Sequence, residues 1–284
     1  MKTYLDCLPC FLNQALRTGR IATKDEKKIK RILDEVGMTI KDIPMESTPP
    51  ETSIFIYRKI KEITGNIDPY KQIKIECTKK ALSLYPVLKK RVENANDSLL
   101  YAIRLAIAGN AIDFGVNKSV DIEQEIEETL KKKFAILDYD KFKYYKDSIA
   151  KNEKILYLAD NAGESVFDRI LIEEMKKPVI YIVRENPIIN DVTYDDAIQA
   201  GIDKVATIVS SGTSLPGTIL KTCNEEFKKI FRNSKFIISK GQGNYEGLSN
   251  EKDPIFFLLK VKCSVLANDI GVKENDIVLK AINT

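Results

Sequence analysis

Residues 155–164 read ILYLADNAGE, and this stretch decides the fold. Its first half, Ile155–Ala159, is a short uninterrupted apolar run, which is typical of a strand buried on both faces of a parallel sheet. Its second half, Asp160–Glu164, is polar and contains a glycine, as expected where a strand turns into a helix. Three later apolar runs repeat this pattern: Val179–Val183, Val205–Val209 and Phe236–Ser239. We therefore predict an α/β fold with a parallel, Rossmann-like sheet flanked by helices, and Ile255–Val261 is a candidate for a fifth strand.

The region before these strands has a different pattern. Apolar residues recur at helical spacing through most of it, and alternating β-branched runs are scarce. Pro49-Pro50, Pro69 and Pro86 should end or separate helices, since proline is disfavoured in a helix interior. The predicted helices include Thr52–Ile63, Lys71–Tyr85 and Ser98–Phe114. We predict a helical domain at 1–135, packed against the carboxyl edge of the sheet, and an α/β domain at 136–284 that binds metal and phosphate.

The composition limits the chemistry that the chain can perform. Its 284 residues include no histidine, which excludes a Ser-His-Asp triad and an H-E-x-x-H zinc helix. The 45 Lys and Arg against 41 Asp and Glu leave a net charge of only +4, which gives no indication of nucleic-acid binding. There is no apolar signal-peptide core and no run approaching the ~18 residues of a membrane span, so we predict a cytoplasmic protein without a membrane partner. A homo-oligomer is compatible with the sequence, which leaves the oligomeric state open.

Polar side chains follow the first two predicted strands. Asp160-Asn161 follows the first, and Asn190-Asp191 lies in the loop after the second. Because the carboxyl ends of parallel strands meet at one edge of a sheet, these side chains should lie together. Oxygen ligands such as those of Asp160, Asn161 and Asp191 suit Mg²⁺ or Mn²⁺, with water completing the coordination shell. The ordinary alternative for Asp160-Asn161 is a helix N-cap, which needs no ligand.

The loops after the third and fourth strands offer groups for an anion. Lys240 places an ammonium at the same sheet edge, and Gly241 lets the following loop, which includes Asn244, approach a ligand closely. Ser210-Ser211-Gly212 offers hydroxyls and backbone amides as an anion nest. We expect Lys240 to pair with a phosphate, and the ordinary alternative is a lysine that snorkels from the strand end to solvent.

Four ordered motifs together resemble the damage-control metallophosphatase family, which was first catalogued as a domain of unknown function. The motifs are Ala108–Asp113, Asp160–Glu164, Asn186–Thr193 and Lys240–Glu246. The resemblance extends from Cys7 to Glu246, and Cys7-Leu8-Pro9-Cys10 is similar to the start of the short archaeal and bacterial branch. The chain departs from the family pattern at Gly243, where many members carry Ala, and at Leu215. The second departure leaves the substrate open.

The resemblance implies metal-dependent hydrolysis of small phosphomonoesters, either sugar phosphates or damaged phosphometabolites. It places Asp160, Asn161 and Asp191 on a divalent cation, in agreement with the roles expected from the residues themselves. We expect this cation to be Mn²⁺, Mg²⁺, Co²⁺ or Ni²⁺. The partner is then a small phosphorylated metabolite.

The resemblance also assigns roles around the cation. Lys240 would meet the phosphate, and Asn110 and Asp113, three residues apart on one helical face, would come from the helical region to close the pocket. Their ordinary alternative is an Asn-Asp pair that satisfies a buried helix end. Arg184 is a candidate substrate clamp, and a surface arginine at a strand end is its more ordinary interpretation. Three carboxylates are candidates for the general base: Asp191, Glu164 and Asp113.

Two other functions are compatible with this sequence. A carboxyl methyltransferase that uses S-adenosylmethionine also has a parallel sheet and a glycine turn, and a eukaryotic branch of the family was proposed to methylate acidic residues. Against it, Asp160-Asn161-Ala162-Gly163 lacks the clustered glycines that let a nucleotide approach. The other alternative is a non-enzymatic module that binds a metal or a nucleotide.

Cys7 and Cys10 form the one C-x-x-C pair among five cysteines. Such a pair can be half of a zinc site, a redox pair or a feature of helix-start packing. A closed four-cysteine zinc site would need two more thiolates from Cys77, Cys223 and Cys263, and none of these is paired in sequence.

Overall fold

The apolar runs form the strands of one sheet, which confirms the predicted α/β fold. The computed structural model describes residues 1–111 and 122–284. Seven strands lie in the described part of the chain: β1 (Phe134–Leu137), β2 (Ile155–Leu158), β3 (Val179–Val183), β4 (Thr207–Ser210), β5 (Ile237–Lys240), β6 (Ile255–Lys260) and β7 (Ile277–Ile282). Their order is β1-β7-β6-β5-β2-β3-β4. Only the β6–β7 pair among them is antiparallel, so β1 and β7 run opposite to the other five strands.

The two strands at one end of the sheet, β1 and β7, were not predicted. The four residues of β1, Phe-Ala-Ile-Leu, are all apolar, so the sequence did contain a signal for this strand that the prediction passed over. In the structure they alternate between partly buried and exposed, because the strand forms an edge of the sheet. The predicted fifth strand, Ile255–Val261, is confirmed as β6. The fourth predicted strand begins and ends one residue later than expected, which makes Lys240 the last residue of β5.

Helices cover both faces of the sheet and form the N-terminal region. The described helices before β1 are α1 (Cys7–Ala22), α2 (Glu26–Ile40), α3 (Pro49–Thr64), α4 (Lys71–Glu93), α5 (Ser98–Ala111) and α6 (Ile122–Lys131). Those that follow it are α7 (Tyr139–Ser148), α8 (Ser165–Met175), α9 (Tyr194–Gln199), α10 (Glu225–Asn233), α11 (Gly241–Leu248) and α12 (Ser264–Ile270). Short 3₁₀ turns occupy Ile202–Lys204 and Leu220–Thr222.

Prolines divide the helical region differently from the prediction. Pro49 and Pro50 begin α3, where the missing proline N–H has no partner to lose. Thr48 before them and Glu51 after them form a capping box. The predicted turn at Pro86 is wrong, because Pro86 lies inside α4, which continues to Glu93. A proline in a helix interior costs about 3 kcal/mol. Continuation of the helix buries Leu88 and Val92 in the main core, which offsets this cost.

The helical region contributes to two cores. The helices α1, α2 and α3 share a small core of their own that includes Phe11, Ile32 and Ile56. In contrast, α5 lies against α8 and β6 and belongs to the core on one face of the sheet. The predicted boundary at residue 135 falls within β1, and the division into domains 1–135 and 136–284 stays a prediction.

Candidate functional site

A cavity of about 410 Å³ opens at the carboxyl ends of the parallel strands, where α1 and α3 face the sheet edge. The strands β2 and β5 are neighbours in the sheet, and the chain leaves them to opposite sides, with β3 beside β2 and β6 beside β5. Such a topological switch point is where open α/β sheets bind ligands. The sheet side of the cavity includes Asp160, Asn161, Asp191, Gly243, Glu246 and Lys262, and the helical side includes Cys7, Cys10, Gln14, Arg17 and Tyr57.

Backbone hydrogen bonds bring the predicted metal ligands together. The N–H of Val192 donates to the carbonyl of Asp160 at 2.8 Å, and the N–H of Ala162 donates to the carbonyl of Asn190 at 2.9 Å. An antiparallel bridge between Asn161 and Asp191 results, and it places the loops after β2 and β3 side by side. The sequence could predict that both loops lie at this edge, but their direct pairing comes from the tertiary structure.

Side-chain donors hold one carboxylate oxygen of Asp160 and one of Asp191, and leave the other oxygen of each without a hydrogen bond from the described chain. Asp160 Oδ2 accepts from Asn110 Nδ2 at 2.7 Å and from Asn161 Nδ2 at 3.1 Å. Arg184 Nε donates to Asp191 Oδ2 at 2.8 Å. Within the described chain, three oxygens of these cavity-lining residues accept no hydrogen bond: Asp160 Oδ1, Asn161 Oδ1 and Asp191 Oδ1. We call these three residues the open oxygen site.

Only glycine fits at position 241, because the backbone there is left-handed and lies against the side chain of Asp160. Its φ is +78°, a conformation that glycine adopts without strain. A Cβ atom at this position would lie 1.9 Å from Asp160 Oδ2. The sequence predicts that Gly241 lets the loop approach a ligand closely. In the structure, the backbone at Gly241 instead approaches the carboxylate of Asp160.

Lys240 lies beneath the cavity and does not line it. Its fully buried Nζ donates to Glu164 Oε1 at 2.5 Å, to Asp168 Oδ1 at 2.6 Å and to the carbonyl of Ala106 at 2.9 Å, which uses all three N–H donors. This geometry corrects the predicted contact of Lys240 with phosphate. The physical reason is that Lys240 ends β5 inside the covered sheet and does not begin the loop. We call Lys240, Glu164 and Asp168 the buried charge cluster.

The buried charge cluster and the open oxygen site share hydrogen-bonding amides. Glu164 Oε2 accepts from Asn110 Nδ2 at 3.0 Å and from Asn161 Nδ2 at 2.9 Å. On the far side, Tyr157 and Tyr181 donate to the two oxygens of Asp168 at 2.7 and 2.8 Å. Glu164 is fully buried, so a general base at this position would have no direct contact with the cavity. The predicted partner of Asn110, Asp113, lies outside the described residues.

Arg184 and Asn244 are internal residues that support Asp191. The surface interpretation of Arg184 is wrong, since its side chain is buried and reaches Asp191, Thr218 and Asn244. Asn244 accepts from Arg184 at 2.9 Å and donates to the carbonyls of Ala159 and Lys240 at 3.0 and 2.8 Å. These bonds join the loops after β2, β3 and β5, so the predicted substrate contacts of Arg184 and Asn244 are replaced by contacts within the protein.

The predicted anion nest Ser210-Ser211-Gly212 does not line the cavity. The hydroxyl of Ser211 donates to the carbonyl of Val183 at 2.9 Å, and the hydroxyl of Ser210 donates to Glu185. The N–H of Gly212 donates to Ser210 Oγ at 3.1 Å. The hydroxyls are therefore bonded to the end of β3 and to the residue that follows Arg184. The loop is distant from the cavity because β4 is the strand at the end of the sheet, two positions away from the switch point.

The electrostatics of the site favour a bound cation. Burial, and then the charges of Glu164 and Asp191, hold the pKa of Asp160 well above its ordinary value. Burial also raises the pKa of Asp191, against the opposing effect of Arg184. Together with Arg184, the open oxygen site and the buried charge cluster contain four carboxylates and two cations. With all of them ionised, the formal surplus is two negative charges, which a divalent cation would balance.

The oxygen donors fit a hard divalent cation. Within residues 1–111 and 122–284, no group of three or more His, Cys, Asp and Glu side chains is arranged to hold a metal. The predicted set has two carboxylates and one amide, and all three of its unbonded atoms are oxygens, which are the ligands that Mg²⁺ and Mn²⁺ prefer. The residues present therefore fit such an ion, with water supplying the remaining ligands.

Lys262 is a cavity residue that the sequence analysis missed. It lies two residues after the end of β6, which runs parallel to β5, and so it reaches the same sheet edge. The signal was present, since Ile255–Val261 was a candidate strand and the next residue is Lys262. The rule that located Asp160 after the first strand would have located Lys262 after the fifth.

Three cysteines lie at the cavity. Cys7, Cys10 and Cys263 all line it, with Cys263 at the N-cap of α12. Burial raises the pKa of the Cys7 and Cys10 thiols, which favours the protonated form at neutral pH. Protonated thiols are poor metal ligands and poor nucleophiles. The suggested accessory metal or redox role of Cys7 and Cys10 stays a prediction.

The fold and the cavity define a doubly wound α/β protein with an acidic cavity at the switch point of its sheet. Residues 3–278 match the family model described as the damage-control phosphatase ARMT1-like domain. The chain belongs to this family, which confirms the resemblance found in the motifs and supports a phosphatase function.

Archaeal relatives cover nearly the whole chain. Damage-control phosphatase PH1575 of Pyrococcus horikoshii is 35% identical over 285 residues, which span 98% of this chain and 97% of the relative. A damage-control phosphatase of Archaeoglobus fulgidus is 33% identical over 287 residues, which span 97% of this chain and 98% of the relative. An uncharacterised protein of Methanocaldococcus jannaschii, MJ0202, is 38% identical over 287 residues, which span 96% of this chain and 93% of the relative.

A solved structure has the same fold. The crystal structure of a DUF89 family protein, PH1575 of Pyrococcus horikoshii, aligns with a TM-score of 0.88 at 34% identity and covers 98% of both chains. The N-terminal helical region and the mostly parallel sheet are therefore features shared with a structure determined by experiment. Among the described residues, no helix is both long and apolar enough to cross a membrane.

Proposed function

We propose that this protein is a divalent-metal-dependent phosphatase that hydrolyses small phosphomonoesters, either sugar phosphates or damaged phosphometabolites. The observation that carries the proposal is the open oxygen site. Three oxygens from two neighbouring loops line one cavity without hydrogen bonds from the described chain, beside a surplus of negative charge. Membership of a family of damage-control phosphatases supports the reaction class.

The chain positions its ligands before any substrate arrives. Asn110 and Asn161 donate to Asp160 and fix the orientation of its carboxylate. Arg184 does the same for Asp191. The chemistry that a bound Mn²⁺, Mg²⁺, Co²⁺ or Ni²⁺ supplies is polarisation of the phosphoryl oxygens and a lowered pKa of water. Because the carboxylates of Asp160 and Asp191 are already oriented, they need no rearrangement during the reaction, which keeps the stabilisation of the transition state high.

The candidates for the general base differ in access. Asp191 lines the cavity, whereas Glu164 is fully buried and accepts hydrogen bonds from Lys240, Asn110 and Asn161. A base must come within hydrogen-bond reach of the proton that it removes, directly or through one water. We therefore favour Asp191 over Glu164 for this role.

The cavity limits the size of the substrate. Its volume of about 410 Å³ lies within the range of small-molecule sites, and both polar and apolar side chains line it. A second cavity of about 400 Å³ lies next to it, and both are lined by Tyr57 and Ile189. A small metabolite fits this space. The cytoplasmic location, a homo-oligomer and the absence of nucleic-acid and membrane partners stay predictions.

Hydrolysis of p-nitrophenyl phosphate by the chelator-treated protein tests the proposal. We expect almost no phosphate release without metal and strong release after addition of Mn²⁺, Mg²⁺, Co²⁺ or Ni²⁺, each added separately. Equal release with and without a chelator would contradict the metal dependence. Transfer of a methyl group from S-adenosylmethionine to a carboxylate, without phosphate release, would favour the methyltransferase alternative. Binding of metal without either reaction would favour a binding module.

A further inference from the structure

We infer that the second cavity, of about 400 Å³, binds the leaving group of the substrate, and that this leaving group ends in a second anionic group. The inference rests on the proposed function, since it names the class of phosphomonoester that the site takes. The phosphoryl group that is hydrolysed would lie at the open oxygen site, in what we call the main cavity. A carboxylate or a second phosphate at the other end of the molecule would lie in the second cavity.

The walls of the two cavities differ in charge. The described wall of the main cavity has four acidic and two basic side chains: Asp6, Asp160, Asp191, Glu246, Arg17 and Lys262. The described wall of the second cavity has two basic side chains, Arg58 and Lys61, and no acidic one. An anionic group therefore has a more favourable electrostatic environment in the second cavity than on the walls of the main one.

One face of α3 supplies these two cations. Four residues of α3 that line the second cavity follow the helical spacing of three, four and seven positions: Ile54, Tyr57, Arg58 and Lys61. Arg58 and Lys61 are exposed and form no ion pair in the part of the chain that the structure describes. The intervening Lys59, in contrast, pairs with Glu35 and Glu62. Arg58 and Lys61 can therefore pair with a ligand without breaking a contact within the protein.

Two side chains, Tyr57 and Ile189, line both cavities, so the two spaces adjoin there. Tyr57 is held in place by Gln14, whose Nε2 donates to the tyrosine Oη at 3.0 Å. Ile189 directly precedes Asn190-Asp191, in the loop that supplies part of the open oxygen site. A ligand that extends past these two side chains would have one end beside Asp191 and the other beside α3.

The backbone at Ile189 also marks this boundary as a ligand site. Its φ is +43°, in the left-handed region, which is a strained conformation for a β-branched residue. Ile189 lies in a tight turn, in which the N–H of Asp191 donates to the carbonyl of Ile188 at 3.0 Å. Glycine or asparagine is the usual residue at such a position. Strain of this kind is concentrated at ligand sites, and here it places an apolar side chain on the wall that the two cavities share.

Much of the remaining wall of the second cavity suits carbon atoms. Six apolar residues contribute to it: Ile54, Ile60, Ile67, Pro69, Pro187 and Ile188. Small-molecule sites typically combine such a lining with a few polar groups that fix the orientation of the ligand. The substrate class that fits both cavities is therefore a phosphomonoester with an extended, partly apolar leaving group and an anionic end.

Steady-state kinetics of the Mn²⁺-loaded protein tests this inference. The substrates are ω-carboxyalkyl phosphates of increasing chain length, each paired with the uncharged ω-amide of the same length. Once the chain is long enough to reach α3, we expect KM to be roughly tenfold lower for the acid than for the amide, as for two exposed ion pairs. In Arg58→Ala/Lys61→Ala this ratio should fall to about one, because the charges that distinguish acid from amide are gone. Alkanediyl bisphosphates show whether a second phosphate is preferred to a carboxylate, and either preference supports the inference.

Two further double variants separate the charges from other effects. Arg58→Lys/Lys61→Arg keeps both charges and should keep most of the preference for the acids. Arg31→Ala/Lys71→Ala removes the same charges from exposed positions outside both cavities and should keep the wild-type ratio. Added salt should lower the wild-type ratio, since it screens exposed charges.

Two results would overturn the inference. One is a wild-type ratio near one at every chain length, and the other is an unchanged ratio in Arg58→Ala/Lys61→Ala. Thermal unfolding of this variant should match the wild type, because the two side chains have no ion pair to lose within the described residues. A preference that disappears only together with folded protein would also count against the inference.

Calorimetric titration of the same acid and amide pairs distinguishes this inference from the phosphatase proposal. A wild-type protein that hydrolyses p-nitrophenyl phosphate but shows no preference for the acids refutes the role of the second cavity alone. A wild-type protein that hydrolyses no phosphomonoester, but binds the acids more tightly through Arg58 and Lys61, refutes the reaction and supports the binding site. Absence of hydrolysis together with equal binding of acids and amides would overturn both.

Discussion

The open oxygen site and the buried charge cluster are adjacent, yet they differ in hydrogen bonding and in access to the cavity. In the cluster, Lys240 lies 2.5 and 2.6 Å from Glu164 and Asp168, and two tyrosines complete the hydrogen bonding. In the open oxygen site, Asp160 and Asp191 have one oxygen each that accepts no hydrogen bond in the described chain. Each pair of carboxylates has one buried cation, Lys240 in the cluster and Arg184 at the open oxygen site. The difference is that every carboxylate oxygen of the cluster accepts a hydrogen bond, whereas the open oxygen site presents to the cavity oxygens that are unbonded in the described chain, and a cation from solution can bind them there.

This difference separates residues that support the site from residues that act in it. Both groups are polar, both lie at the carboxyl edge of the sheet, and both follow apolar strands in sequence. Removal of a cluster residue should first affect folding, because it leaves a charge unpaired in the interior. Removal of a residue of the open site should first affect metal binding and activity.

The largest effect is expected for Asp160→Ala. We predict loss of phosphatase activity by a factor of roughly 10³ or more with the fold retained, because the carboxylate is aimed at the cavity and its loss removes a ligand. Metal-dependent turnover and circular dichroism are the measurements. Asp195→Ala, which removes an exposed carboxylate on α9, should behave as wild type. Wild-type turnover in Asp160→Ala, or failure to fold with and without metal, would show that Asp160 belongs to the supporting group.

The next effect is expected for Lys240→Met, which keeps the length of the side chain and removes its charge. We predict a loss of unfolding free energy of about 3–5 kcal/mol, because two fully buried carboxylates lose their ion pair. Urea unfolding at neutral pH measures it, with Lys262→Ala as the matched lysine whose loss should leave stability unchanged. Unaltered stability of Lys240→Met, with a reduced kcat, would return Lys240 to the role of a phosphate ligand.

A moderate effect is expected from pH, through Glu246 on the cavity wall. Burial raises its pKa from 4.5 to about 7, so the folded protein holds this proton more tightly than the unfolded chain does. The resulting stability is complete below pH 4.5 and is lost as pH rises through about 7. Glu246→Gln should lessen the decline in unfolding free energy between pH 5 and pH 8 by roughly 1–3 kcal/mol. An identical pH dependence in the wild type and the variant would refute the assignment to Glu246.

The smallest effect is expected for the double variant Cys7→Ser/Cys10→Ser. A site of hard oxygen ligands does not need thiolates, so we predict that kcat changes by less than about threefold. Stability could fall slightly, because Cys7 contacts the core of α1, α2 and α3. Steady-state kinetics of the folded variant measures the effect. A decrease in kcat of roughly a hundredfold, with normal folding, would place the cysteines in the site.

The sequence predicted the outline of the fold but not its limits. Continuous apolar runs identified five adjacent strands, β6, β5, β2, β3 and β4. The inner ones are buried on both faces of the sheet, which selects such residues. The prediction missed β1 and β7, although β1 is a short apolar run. It also placed a turn at Pro86, where α4 continues because the residues that follow are buried in the main core. Local preference is a weak indicator wherever tertiary contacts can offset it.

For the site, the sequence by itself determined the chemical groups and the sheet edge where they meet. Histidine-based chemistry was excluded, and Asp160, Asn161 and Asp191 were assigned to one cavity, which the structure shows. Only the tertiary structure decided which charges face that cavity. Lys240 ends its strand inside the covered sheet and is neutralised by Glu164 and Asp168, whereas Lys262 follows a neighbouring strand and remains exposed. A lysine looks the same in sequence in both places, because its role depends on the carboxylates that other segments of the chain bring beside it.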